Sequence, residues 1–254
     1  EERGALVAPT MLNADIQISY VSGGAAAGLP VSLSGVIRDK FLNYPDYEDF
    51  SFSAPQEAGG EAEEGSDQRL FLDKMQVVLD EQGGTRTQID SLPRITRPSE
   101  LRFEAGFSDP NGQIQTISQV VTAWPSDIVA GIRSESWIQQ GKPLGVDALA
   151  VTPEGKPRAG VDMDIRAVAH KTYTVRQRMV GGFYSYKHET RSEDLGQVCS
   201  GTTDEQGGLH CEITLDRPGS IELIASVMDD VGRRSEASAR VWLTGAAELW
   251  FDAG

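Results

Sequence analysis

The pentapeptide Asp-Glu-Gln-Gly-Gly occurs twice in this chain, at 80–84 and at 204–208. Each copy is followed by an alternating segment, TRTQID after the first and LHCEITLD after the second. Alternation at a period of two marks a half-buried strand, whose successive side chains point to opposite faces. A second matched pair lies farther on: FEAGFSDPNGQIQTISQVVTAW (103–124) and IELIASVMDDVGRRSEASARVW (221–242). Each reads as strand, turn with Asp and Gly, strand, then Trp. The tetrads Asp-Pro-Asn-Gly and Asp-Asp-Val-Gly supply the residues of tight hairpins, because Gly and Asn accept positive φ. The two pentapeptides lie 124 residues apart and the turn aspartates Asp109 and Asp229 lie 120 apart, so the economical reading is duplication of one domain.

Strand signals continue throughout. DIQISYVS (15–22), PVSLSGVI (30–37), LRFEAGFS (101–108), LGVDALAV (144–151), VDMDIRAV (161–168) and SIELIASV (220–227) alternate or carry β-branched residues, with Gly, Pro, Asn and Asp clusters between them. No window forms a convincing amphipathic helix. About seven short strands per repeat predict an all-β protein of two consecutive antiparallel β-sandwich domains. The first is expected over 1–125, with an acidic loop at 53–68. The second is expected over 126–246, with a long hairpin at 167–196 and a hairpin carrying both cysteines. Residues 247–254 then begin a linker or a further domain.

A chain of 254 residues with 39% hydrophobic content and 24% charged residues suits such globular domains. No apolar run is long enough to cross a membrane, and the N-terminus lacks the basic start and apolar stretch of a signal peptide. The net charge of −15 argues against a nucleic-acid partner, which needs a basic face. The acidity is uneven, with 9 basic against 19 acidic residues in 1–125 and 14 against 19 in 126–254.

Cys199 and Cys211 flank the second Asp-Glu-Gln-Gly-Gly turn and are expected on the two arms of one hairpin. A metal site wants more than two thiolates, usually at CxxC spacing. A disulfide is favoured over two free buried cysteines, and it places the protein outside the cytoplasm. The stretch 44–68 holds eight acidic residues and no Lys or Arg, and its second half reads as a solvated loop without the ligand spacing of a calcium site. In the hairpin at 167–196, Tyr173, Phe183, Tyr184 and Tyr186 interleave with Arg176, Arg178, Lys187 and Arg191. Such a pattern suits a polyanion or a sugar. In an acidic chain the favoured reading is a cross-strand ladder that partly docks on a neighbouring domain, which makes Tyr173, Arg176, Arg178, Phe183, Tyr184 and Tyr186 the candidate interface.

Of the three histidines, a pairing of His170 with His188 across that hairpin is geometrically possible, but zinc would need further ligands. There is no HExxH, GxSxG or GxxxxGK[ST] motif, and no pair of carboxylates is singled out for acid–base work. No enzyme activity, cofactor or metal is expected.

LNADIQISYVSGGAAAGLPVSLSGVI with FLNYPDYEDFSFSAPQE resembles a macroglobulin domain of the bacterial α-2-macroglobulin family, in its small-residue turn GAAAGLPV (24–31) and aromatic strand YPDYEDFSF (44–52). The second half is similar to the next domain of that family, ending in DVGRRSEASARVWLTGAAELWF (230–251). The resemblance implies fibronectin-like macroglobulin domains from the interior of a protease trap that serves bacterial defence. In that trap a protease cuts a bait segment and a thioester captures it. The thioester needs CxEQ, whereas Cys211 is followed by Glu212, Ile213 and Thr214, so trapping chemistry and bait are expected outside this chain. The implied partners are target endopeptidases, through the full-length protein, and neighbouring macroglobulin domains. The implied location is periplasmic, with any membrane anchor outside this chain. A surface adhesin or polysaccharide-binding tandem of immunoglobulin-like domains is the alternative, since fold alone does not decide function.

Overall fold

In the computed structural model, residues 5–20, 23–55, 68–178 and 183–245 are described, without the side chains of 172, 174–178 and 184–189. They form fifteen strands and one 3-10 turn, Pro45–Tyr47. The chain divides into two units, residues up to Lys40 with 68–125, and 41–55 with the residues from Ser126 on.

The first unit contains β1 (Leu6–Val7), β2 (Leu12–Gln17), β3 (Pro30–Asp39), β4 (Gln68–Val78), β5 (Gly84–Ile89), β6 (Ser99–Ser108) and β7 (Ile114–Trp124). Alternation decides what each strand buries. On β3, Val31, Leu33, Gly35 and Ile37 turn inward while Ser32, Ser34 and Val36 stay partly exposed. Five strands pair in the order β1-β7-β6-β3-β4, and β2 pairs with β5 in a separate ladder. Ile16, Val31, Leu33, Leu72, Leu79, Ile89 and Ala105 form one core cluster, drawn from both sheets.

The second unit contains β8 (Val129–Ser134), β9 (Trp137–Gln139), β10 (Pro143–Val151), β11 (Asp162–Arg178), β12 (Tyr184–Thr202), β13 (Gly208–Thr214), β14 (Gly219–Met228) and β15 (Arg234–Thr244). Its five-stranded sheet runs β9-β15-β14-β11-β12 and the smaller one β8-β10-β13. The first order is that of the first unit, strand for strand, down to the parallel pairing of β1 with β7 and of β9 with β15. Register agrees too: Glu104 faces Ser118, and Ile224 faces Ser238, both pairs 120 residues on. Among the described residues β8 has no counterpart in the first unit. The core lies between the two sheets, with Ile132, Leu144, Val146 and Ile213 packed in one cluster with Ile165, Ile221, Leu223 and Val241.

The repeated pentapeptide makes the same turn in both units. Asp80 Oδ1 accepts the amides of Gln82 and Gly84, each at 2.9 Å, and Asp204 Oδ1 those of Gln206 and Gly208 at 2.9 and 2.8 Å. Gly83 and Gly207 both have φ of 75°. A Cβ on either would lie 2.5 Å from a carbonyl oxygen, of Ile18 and of Ala150 respectively, so only glycine fits.

One expectation is corrected here. Residues 41–55 follow β3 in sequence and were assigned with 1–125, yet they pack with the second unit. The centre of the acidic loop (56–67) and residues 247–254 lie outside the described residues.

Candidate functional site

The second sandwich has two open sides, and each is closed by a different device. On one side, β8 ends the small sheet, and β15 pairs with β9 only from Trp242 to Thr244. The aromatic stretch 44–53 lies across this side as a strap. Ser51 exchanges backbone hydrogen bonds with Ile132 of β8, at 2.8 and 2.9 Å, and the Ser53 carbonyl accepts the Ser238 amide of β15 at 2.8 Å. Phe52, 6% exposed, is the wedge between them. Its ring lies over Gly131, where a Cβ would meet Cε1 at 2.7 Å.

Tyr44 anchors the start of the strap. Its ring meets Phe52 edge-on with centroids 4.8 Å apart, and its hydroxyl donates to the Pro153 carbonyl at 3.1 Å. Burial, with Glu154 nearby, pushes the phenol up to about 12, so it stays a neutral donor at every physiological pH. The Pro45–Tyr47 turn then brings Asp49 to 3.7 Å from Arg133, whose guanidinium also sits 4.8 Å from the Phe50 ring centre.

On the other side, Cys199 and Cys211 are joined in a disulfide, with Cα atoms 6.4 Å apart. The hairpin placement expected for them is corrected: Cys199 is on β12, the end strand of the five-stranded sheet, and Cys211 on β13, the end strand of the small sheet. The bond therefore staples sheet to sheet. Val198, Leu195 and Leu209 pack against the core beside it.

The candidate interface residues lie on the β11–β12 hairpin. Its ladder pairs Tyr173 with Glu189, Arg176 with Tyr186, and Arg178 with Tyr184. Tyr173 and Phe183 are exposed, at 47% and 78%, and Arg191 lies 5.5 Å from the Tyr173 ring centre. The side chains of Arg176, Arg178, Tyr184 and Tyr186 lie outside the described residues. The histidine pairing that the hairpin allows is not formed, because His170 opposes Ser192 while His188 opposes Thr174. His170 instead joins Glu222 through Nε2 at 2.8 Å and Ser192 through Nδ1 at 3.0 Å. Sequence reading missed Glu222, 2% exposed on β14. The signal was its even position in an otherwise apolar run, on the face opposite Ile221 and Leu223. Among the described residues no group of three His, Cys, Asp or Glu side chains is arranged to hold a metal.

Asp229 was read only as a turn residue, but it is a hub. It closes its own turn by accepting the amides of Val231 and Arg233 at 3.1 and 2.8 Å, and takes Arg233 Nε at 2.6 Å. It also accepts the Ser126 hydroxyl at 3.1 Å, which holds the residues leading into β8. Burial pushes its carboxyl up, but these donors overcome that and hold it at about 2, against an ordinary 3.8. A depressed carboxyl stabilises above its ordinary value and loses that contribution as pH falls toward 2. Asp229→Asn is expected to cost the second unit about 2 kcal/mol at neutral pH. The difference from the unsubstituted chain should shrink in denaturation curves between about pH 4 and pH 2. A difference independent of pH there would contradict this role.

No protein-family model matches the sequence, and neither does any curated protein. Solved structures do match in fold. The native conformation of Escherichia coli alpha-2-macroglobulin covers 96% of this chain at 16% identity, with a TM-score of 0.66. Salmonella alpha-2-macroglobulin reacted with methylamine covers 95% at 16% identity and a TM-score of 0.65. Escherichia coli alpha-2-macroglobulin activated by porcine elastase covers 98% at 19% identity and a TM-score of 0.62. The tandem of sandwiches is thus the fold of a section of these bacterial alpha-2-macroglobulins, and the chain spans 16–21% of their length.

Proposed function

We propose that this chain is a framework section of a bacterial alpha-2-macroglobulin-like protease inhibitor, two rigid macroglobulin domains that hold bait and thioester modules in register. The observation that carries this is the match of both domains together, over 96% of the chain, to native alpha-2-macroglobulin. The devices at the open sides of the second sandwich support a rigid role, since strap and staple each tie one sheet to the other. Cys211-Glu212-Ile213-Thr214 cannot form the CxEQ thioester, so capture chemistry belongs elsewhere in the parent protein. The chain has no catalytic role of its own. Its disulfide fits an oxidising compartment, and the reading places the parent outside the cytoplasm, in the periplasm. Its partners are endopeptidases met through the parent, and adjoining macroglobulin domains.

The test pairs this chain with its full-length parent against serine, cysteine and metallo-endopeptidases. The chain alone should form no reduction-resistant adduct. The parent should form one, or enclose the protease in a changed shape that scattering detects. A protease-capturing response from the chain alone would replace the framework role with a sensing one. No response from the parent would remove the trap.

A further inference from the structure

The strap is the loop between the third and fourth strands of the first unit, and it closes the second. The repeated domain carries two of the strap's three seats in both copies. In the second unit one seat is the β15 edge, where the Ser238 amide reaches the Ser53 carbonyl at 2.8 Å. Its counterpart in the first unit is the β7 edge at Ser118, identical in residue type and in register against β6. Asp109 and Gln113 close the β6–β7 turn through a backbone bond at 2.8 Å, as Asp229 and Arg233 close the β14–β15 turn at 3.0 Å. Bonded pairs then recur every second residue, which turns the amides of Thr116, Ser118 and Val120 away from β6. Residues 114–120 are all exposed, with Ile114, Ile117 and Val120 among them. A long, partly apolar edge strand of this kind pairs readily with another chain.

The second seat is the turn under Tyr44. In the second unit the Gly155 amide bonds the Thr152 carbonyl at 2.8 Å, and the Tyr44 ring lies 2.8 Å from where a Gly155 Cβ would stand. In the first unit the Gly23 amide bonds the Tyr20 carbonyl at 3.0 Å, and the two glycines share φ, 86° and 84°. Gly23 faces open space. The third seat, β8, has no counterpart among the described residues of the first unit.

We propose that the β7 edge and the Gly23 turn form a docking site for a strap of the same chemistry. The occupant is a segment with a tyrosine eight residues ahead of a phenylalanine, offered by the third-to-fourth-strand loop of another domain of this architecture. The domains would then be linked serially, each closing the next. The inference rests on the internal duplication and not on the likeness to alpha-2-macroglobulin.

A peptide with the sequence of residues 43–54 is the probe, titrated into the isotopically labelled full chain and followed by amide shifts and exchange. Saturable shifts at Gly23, Thr116, Ser118 and Val120 are expected, with exchange at Ser118 slowed at least about tenfold. A peptide carrying Tyr44→Ala and Phe52→Ala should bind at least about tenfold more weakly. Ser118→Ala in the chain should bind as before, because the pairing is through backbone, while Ser118→Pro should abolish it. Should Ser118→Pro unfold the first unit, the alanine variant and the altered peptide still decide. No shift at 114–120 with millimolar peptide, shifts confined to the second unit, or equal binding of the altered peptide would each overturn the proposal.

Discussion

Replacing Phe52 with alanine is expected to destabilise the second unit by about 3–5 kcal/mol, the usual cost of truncating a buried phenylalanine. Phe52 lies more than seventy residues ahead of Ser126, where the rest of the second unit begins, yet its ring fills the gap between β8 and β15 and covers Gly131. Truncation leaves a cavity there. It also loosens the Ser51–Ile132 and Ser53–Ser238 backbone bonds, whose donors and acceptors would then need water. Denaturant unfolding followed by amide exchange should show the loss at Ile132 and Ser238, with Leu33 and Leu101 of the first unit unchanged. A fragment starting at Ser126 lacks the strap, and should be less stable than the same unit in the whole chain. Equal stability of fragment and whole chain would mean that the strap contributes nothing.

The second large effect concerns Cys199 and Cys211. Non-reduced protein should contain no alkylatable thiol by mass spectrometry, and two free thiols would refute the pairing. Replacing both with alanine should cost about 3 kcal/mol by the loop-entropy estimate for the 12-residue separation. The structural consequence differs from that of a cross-link within one hairpin. β12 and β13 belong to different sheets, so their ends are free to part, and amides around Val198 and Leu209 should exchange faster together. The first unit should be unaffected.

The all-β class and the repeat were legible because alternation and the Asp–Gly turns are local signals, each satisfied within five residues. The pairing of the cysteines was legible as well, but not their placement between sheets. Asp80 and Asp204 close their turns entirely through their own carboxylates and backbone. Asp109 and Asp229 do the same between paired strands, so one turn chemistry serves a hairpin and a crossing from sheet to sheet. The strap was misassigned for a related reason. YPDYEDFSF is an aromatic strand only by the family resemblance; in the structure Pro45–Tyr47 is a 3-10 turn and Ser51 alone bridges β8. Its aromatic residues, spaced three, three and two apart, do not say which neighbour they cover. Gly131 and Gly155, the residues it covers, are glycines in unremarkable surroundings until the ring above them is known. Glu222 and Asp229 were hidden because burial of a carboxylate depends on partners brought from distant parts of the chain, His170 in one case and Ser126 in the other.

The most direct measurement is native-state amide exchange in the whole chain, with Asp229→Asn used to weaken the second unit alone. If the chain is two copies of one domain, the second completed by the strap that follows β3 in sequence, Ser51 should be protected. Its exchange should accelerate by the same factor as that of Ile132 and Ser238, while Leu33 and Leu101 hold their rates. Ser51 exchanging at the rate of an open loop, or keeping step with Leu33 and Leu101, would contradict it.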